Sequence, residues 1–305
     1  MHWQKLEFIF VADNQYDWMQ THASWPRAFN LADDIYRIYF SSRDASNRSH
    51  IAFVDIDIKN PSNIISISST PVLSPGNAGL FDDCGVIPCC ITQHHGRLAL
   101  YYAGISEAKN IPYISFCGLA YLNSKLDGAI RASEAPLLDR NGIDPFSGGA
   151  VFVCFDETGD IFHMWYESCL GWSSRDSGPV PKFAIKYAAS HDGLHWNRHD
   201  VICIPAPKDG DCISNPSVMM ERGLFKMWYS YKTAGKYRIG YAESDDGMSW
   251  VRKDNEAGIT VSKSGWDSEE IEYPYIFDHK GERYMLYNGN GYGKTGFGLA
   301  KLIDN

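Results

Sequence analysis

The chain has no apolar run of 18 residues and no sustained helical heptads, which argues against a membrane-spanning helix and a coiled coil. Its opening, MHWQKLEFIFVADNQ, lacks a basic lead and a long apolar stretch, so no signal peptide and a cytoplasmic location are expected. Basic residues are few. With 28 Lys and Arg against 37 Asp and Glu the net charge is −9, and no basic stripe exists to replace the counterions of a nucleic acid. CxxC pairs and His-rich ligand spacings are missing too. The eight cysteines, Cys84, Cys89, Cys90, Cys117, Cys154, Cys169, Cys203 and Cys212, fall mostly in predicted strands, where a thiol acts as a small apolar group. Adjacent Cys89 and Cys90 should point to opposite faces, which argues against a shared metal. No metal and no cofactor are expected.

Aromatic residues are plentiful, and they recur in phase. Ser190-His191-Asp192-Gly193-Leu194-His195-Trp196 is matched 54 residues later by Ser244-Asp245-Asp246-Gly247-Met248-Ser249-Trp250. That spacing is the length of a four-stranded sheet with its turns. Asp-Gly supplies a tight reversal, because Gly tolerates positive φ and Asp can bond nearby backbone. Two strands earlier stand Phe162-His163-Met164-Trp165-Tyr166 and Phe225-Lys226-Met227-Trp228-Tyr229, with weaker copies at Arg37 to Phe40, Leu98 to Tyr102 and Tyr284 to Tyr287. Taking Phe40, Tyr102, Tyr166, Tyr229 and Tyr287 as equivalent gives steps of 62, 64, 63 and 58 residues, hence five units. A strand precedes each, marked by Trp25-Pro26, Ile87-Pro88, Asn215-Pro216 and Tyr273-Pro274, and without proline in the third unit around Gly149-Ala150-Val151.

The fifth unit holds three strands, around Glu272 to Phe277, Arg283 to Asn288 and Thr295 to Leu302. His2-Trp3-Gln4-Lys5 is similar to the fourth-strand openings Trp196-Asn197-Arg198 and Trp250-Val251-Arg252. The sequence therefore predicts an all-β chain, a single five-bladed β-propeller over residues 1–305 closed by the N-terminal strand in the last blade. Closure of that kind hides sheet edges that would otherwise template aggregation.

SHDGLHW, SDDGMSW, FHMWY, FKMWY and the proline-marked strands together resemble the five-bladed propellers of the glycosidase superfamily that holds arabinanases, xylosidases, invertases and mannoside phosphorylases. More narrowly, RIYFSSRD, FDDCGVIP, EYPYIF and YNGNGYGKTGFGLA resemble a branch of it found with bacterial surface-sugar genes. The resemblance spans essentially the whole chain and implies a carbohydrate or glycoside ligand. In the resembled enzymes an Asp base or nucleophile lies on one inner strand, a second Asp two blades later and a Glu acid three blades later. Asp83, Asn215 and Glu272 reproduce those offsets after a one-blade shift, with Asn215 standing in for the middle Asp and Glu272-Tyr273-Pro274 resembling the Glu-Cys-Pro phrase of invertase-like enzymes.

Chemistry in such a fold belongs where the first strands converge. The residues there are Trp18, His22, Trp25 and Arg27; Asp82 and Asp83; Asp144, Phe146 and Ser147; Asp211, Ser214 and Asn215; and Glu269, Glu270, Glu272 and Tyr273. Asp83 and Glu272 form the lead catalytic pair, since glycosidic cleavage needs an acid for the leaving oxygen and a carboxylate for water or the sugar. Asp82 or Asp83 can equally cap a turn. Arg43 and Asp44 either pair with each other or leave Arg43 to grip an anion. Trp25, Trp172 and Tyr273 stand out of phase with the core aromatics and are candidate sugar platforms. The glycine-rich stretch from Asn288 to Gly296 has the wrong spacing for a phosphate loop and reads as a hairpin at the site rim, with Asn290 a candidate contact. The leading reading is a glycoside hydrolase-like enzyme. A phosphorylase or transferase would use Arg27, Arg43 or Lys232 for phosphate, and a noncatalytic sugar-binding propeller in polysaccharide assembly is the other alternative. Because no clustered ligands demand a metal, EDTA should leave the thermal unfolding midpoint unchanged; a fall that one added cation reverses would reveal a metal site.

Overall fold

A computed structural model describes residues 1–146, 148–175, 178–206 and 212–304. It is all-β, and its strands fall into the five expected groups. β1 (His2–Phe10) pairs only at the far end of the chain. The first group is β2 (Thr21–Ala32), β3 (Ile35–Arg43), β4 (Ser49–Asp57) and β5 (Asn60–Ile67). The second is β6 (Gly85–His94), β7 (Arg97–Glu107), β8 (Tyr113–Leu122) and β9 (Ala129–Arg131), joined to the first by the parallel pairing of Ser49 with Gly85. Then come β10 (Val151–Asp156), β11 (Ile161–Arg175), β12 (Gly178–Ser190) and β13 (Asn197–Ile204), followed by β14 (Ile213–Glu221), β15 (Leu224–Thr233), β16 (Lys236–Ser244) and β17 (Val251–Arg252). β18 (Glu272–His279), β19 (Glu282–Asn288) and β20 (Phe297–Asp304) make the last sheet, in the order β1-β20-β19-β18. The N-terminal strand thus lies where the sequence placed it, with Trp3 opposite Leu302 and Gln4 opposite Lys301. The first strands touch in succession, β2 to β6, β6 to β10, β10 to β14 and β14 to β18, and β18 touches β2.

The repeated phrase is a docking device. In one copy Ser190 Oγ accepts the Gly193 amide (2.9 Å), Asp192 Oδ1 accepts the Leu194 and His195 amides, and Trp196 Nε1 donates back to the Gly193 carbonyl (3.1 Å). Ser244, Asp246 and Trp250 repeat the pattern around Gly247. Each glycine carbonyl also takes a donor from the preceding sheet, the Tyr101 hydroxyl (3.1 Å) at Gly193 and Trp165 Nε1 (2.7 Å) at Gly247. A φ of 66° at Gly193, with a would-be Cβ 2.7 Å from the His94 ring, explains why that position is glycine.

A second device recurs at the aromatic strand. The hydroxyl of Tyr102 donates to Asp82, of Tyr166 to Asp144 and of Tyr287 to Asp267, and a cation from an outer strand completes each: Arg131, Arg198 and Lys5. These carboxylates are buried, so removing one strands both partners in a low-dielectric setting. Breaking a buried pair in this way costs about 3 kcal/mol or more. Asp82→Ala should therefore lower stability in urea unfolding by about that amount, whereas a loss under 1 kcal/mol would show the pair to be incidental.

Candidate functional site

Three of the proline-marked strands begin with a β-bulge. Pairing shifts between Ser24 and Arg27, between Ser214 and Ser217, and between Glu272 and Tyr275. At each bulge the residue before proline takes a left-handed backbone, with φ of 56° at Trp25, Asn215 and Tyr273. Such conformations disfavour bulky side chains and pre-proline positions, and bulges re-aim side chains beside functional sites. Partners hold the strain in place. The Trp25 amide donates to Asn288 Oδ1 (2.8 Å) and the Tyr273 amide to Ser230 Oγ (2.7 Å), each acceptor lying on the second strand of the preceding sheet in the cyclic order of contacts. The bulges bring the Trp25 and Tyr273 rings to 5.0 Å between centroids, with Tyr237 6.0 Å from Tyr273.

Glu272 stands beside this aromatic group and is 0% exposed. Neither carboxyl oxygen has a hydrogen-bond partner. Burial, then the neighbouring Glu270 charge, pushes its pKa well above the ordinary carboxylate value; the Tyr292 amide opposes this without reaching hydrogen-bonding geometry. Burial thus favours the protonated form of Glu272. Covering it is the glycine-rich connection from β19 to β20, where Gly291, Tyr292 and Gly293 have φ of 69°, 60° and 82°. Ser24 Oγ donates to the Tyr292 carbonyl, Lys232 Nζ donates to the Tyr292 hydroxyl (3.1 Å), and the Gly291 amide donates to Glu270 (2.8 Å).

Deeper lies Arg27, 1% exposed, donating to the Cys89 and Pro26 carbonyls and to Asn215 Oδ1 (2.6 Å). Its guanidinium packs 5.6 Å from the Trp25 ring and 5.3 Å from Tyr275. Burial lowers its pKa. Asn215 is equally buried, and its Nδ2 has no partner.

The sequence reading missed Glu167 on β11. Burial raises its carboxyl to about 7, opposed by the Ser214 hydroxyl and the Gly149 amide, so it titrates near neutrality beside the starts of β10 and β14. A signal existed: Ser41, Ala103, Ser230 and Asn288 occupy the corresponding position after the second-strand aromatic in the other units, and only this unit puts a charge there.

The remaining expected residues divide. His22 and Arg43 are half-buried at the rim; burial, then Arg43 and Lys294, lowers the His22 pKa to about 4. Trp172 faces Tyr113 at 5.8 Å. Asp83, expected as a catalytic carboxylate, caps a loop: Oδ2 accepts the Gly79 amide (2.9 Å), Oδ1 is buried without a partner, and hydrogen bonds from Gly79, Cys84 and Ser106 outweigh burial to hold its pKa below the ordinary value. It shares no partner with Glu272 among the described residues. Asp44 does not pair with Arg43; it caps the Ser46 and Arg48 amides and binds Arg48 and His50 side chains. Asn290 anchors backbone, accepting the Glu269 and Glu270 amides. Asp144 and Asp82 serve the tyrosine devices described above, Glu269 pairs with Lys236, and Trp18 stacks on Tyr16. Ser147 and Asp211 lie outside the described residues. Among the described residues no group of three or more His, Cys, Asp or Glu is arranged to hold a metal ion.

The fold is that of glycoside hydrolases of the family 43 and family 32 type. A glycosyl hydrolase from Bacteroides ovatus superposes with a TM-score of 0.72 at 13% identity, over 98% of this chain and 92% of that one. A thermostable family-43 glycoside hydrolase gives 0.68 at 14% identity, over 97% and 94%. No family model matches. The chain belongs to the same family as the Mycobacterium tuberculosis (strain ATCC 25618 / H37Rv) protein "Uncharacterized protein Rv1502", with 40% identity over 303 residues and 99% of both chains covered.

The buried carboxyls have a measurable thermodynamic signature. Between pH 4.5 and about 7 the unfolded chain releases the Glu167 proton while the fold retains it, so stability falls as pH rises and levels off above 7. Glu167→Gln should flatten that slope and add up to about 3 kcal/mol at pH 8, with little change at pH 4.5. Equal effects at both pH values would mean that the carboxyl is ionised throughout.

Proposed function

We propose that the protein is a carbohydrate-active enzyme of glycoside hydrolase type, built as a single five-bladed propeller that its N-terminal strand closes. The circuit of contacts among β2, β6, β10, β14 and β18 supports the architecture, together with the β1–β20 pairing. One observation carries the chemistry: Glu272 is a fully buried, unpartnered carboxyl, its pKa raised by burial, at a left-handed bulge beside the Trp25–Tyr273 pair. A carboxyl kept neutral by its surroundings is what protonation of a glycosidic oxygen requires, and an aromatic face packs well on sugar CH groups. Glu272 is the acid in this reading. Glu167, which titrates near neutrality beside the starts of β10 and β14, takes the place of Asp83 as the base or nucleophile in this reading. A cytoplasmic location remains part of the proposal and rests on the sequence alone.

Asn215, where the resembled enzymes carry Asp, favours a second reading, a propeller that binds sugar without cleaving it. Turnover decides between them. On a panel of glycosides, Glu272→Gln should lower kcat on the order of 100- to 10,000-fold, with partial rescue by an activated leaving group that departs unprotonated. Asp83→Asn should lose stability and keep its turnover. Binding of sugars with no turnover by the parent protein would establish the second reading, and an unimpaired Glu272→Gln would end the first.

A further inference from the structure

Four positive charges gather around the glycine-rich connection, Arg27, Arg43, Lys232 and Lys294. Some cations elsewhere are held by carboxylates, Arg131 by Asp82, Lys186 and Arg198 by Asp144, Arg283 by Glu221 and Asp278. At the site, Arg43 donates to Asn47 Oδ1 (3.0 Å), Lys232 to the Tyr292 hydroxyl and Arg27 to Asn215 and two carbonyls. All of these partners are neutral. Among the described residues, none of Arg27, Arg43, Lys232 and Lys294 lies within ion-pair distance of a carboxylate.

The rim charges gather about one residue. Lys232 Nζ lies 5.5 Å from the Tyr292 ring centre, and the Tyr292 carbonyl is fixed by Ser24, two positions from His22. Arg43 lies opposite Thr21 in the strand register, next to His22, and the charges of Arg43 and Lys294 both disfavour a proton on His22. Two carboxyls stand nearby: Glu272, whose burial favours its protonated form, and Glu270, which accepts the Tyr237 and Gly291 amides and acts on Lys232 without reaching ion-pair distance. Below the rim the polarity has the same sense: Arg27 is buried and cationic, and Asn215 Nδ2 is a buried donor with no acceptor. An unpaired donor in such a place is costly unless a ligand oxygen meets it.

We propose that this site binds a glycosyl ligand that itself carries an anionic group, a phosphate or carboxylate on the sugar, with Arg43, Lys232 and Lys294 holding the anion and Asn215 Nδ2 meeting a ligand oxygen. The proposal rests on the carbohydrate reading above and names the charge of the substrate class. Charge-assisted hydrogen bonds are stronger and more specific than neutral ones, so the charge should dominate discrimination.

Isothermal titration with glucose, galactose and mannose, each as free sugar, 1-phosphate and uronic acid, tests it, with inorganic phosphate as a control. At least one phosphorylated or carboxylated sugar should bind about tenfold or more tightly than its neutral counterpart and weaken with added NaCl. Which of the two forms binds identifies the anion. Arg43→Gln and Lys232→Gln should each lose about tenfold toward the charged ligand while leaving the neutral sugar unaffected, their folding checked by circular dichroism. Asn215→Asp, which sets a carboxylate against Arg27, should also weaken the charged ligand. If no charged sugar exceeds its neutral counterpart, the inference fails; neutral sugars that still bind would leave the carbohydrate reading standing. If inorganic phosphate binds as well as every sugar phosphate and no sugar competes, both readings fall.

Discussion

Besides the glycine carbonyls of the repeated phrase, neighbouring sheets meet at the residue after the second-strand aromatic. Asn288 takes the Trp25 amide, Ser230 takes the Tyr273 amide, Ser41 donates to the Val86 carbonyl (3.4 Å), and Glu167 meets the Ser214 hydroxyl. Between the second and third sheets the contact is steric, with a would-be Gly149 Cβ 3.0 Å from Ala103 Cβ. These links fix the first-strand starts, and left-handed bulges are tolerable only where such partners over-determine them. The site is thus a by-product of how neighbouring sheets are fastened. Changing a fastening residue changes the aim of a bulged side chain one sheet away.

That arrangement also sets the charge of the site. Bulging turns Asn215 toward Arg27 and places Trp25 against Tyr273, so the floor is cationic and aromatic while burial raises the pKa of its carboxyls, Glu272 and Glu167. Outward from the floor, carboxylates are engaged with tyrosines and outer-strand cations.

The fold was legible because its fastening devices are short and repeat. Ser-x-Asp-Gly with a following Trp closes its own turn and offers a glycine carbonyl to the preceding sheet, so one sequence phrase encodes both local and cross-sheet geometry. Proline likewise flagged Trp25, Asn215 and Tyr273. Asp82 and Asp83 are harder to read, because a carboxylate capping a turn and one facing a substrate look alike in sequence, and these neighbours are each bonded to structure in their own way. Glu167 escaped notice because it continues a core strand, and its meaning appears only when Ser41, Ala103, Ser230 and Asn288 are set beside it. Asn290, read as a rim contact, accepts the Glu269 and Glu270 amides at its Oδ1 and the Thr295 hydroxyl at its backbone carbonyl.

The pairing of β1 with β20 couples residues far apart in sequence, such as Trp3 and Leu302. Trp3 lies against Leu302, and Trp3 also packs edge-on against Trp228 at 5.8 Å. Bringing ends together across a chain of this length carries a loop-closure entropy on the order of 5 kcal/mol before any contact is gained. The earlier sheets are built from consecutive hairpins and can form during translation, but β18 to β20 present an unpaired edge until β1 returns. The last event of folding is thus the one that covers that edge, and a nascent chain stalled before it would be the aggregation-prone species.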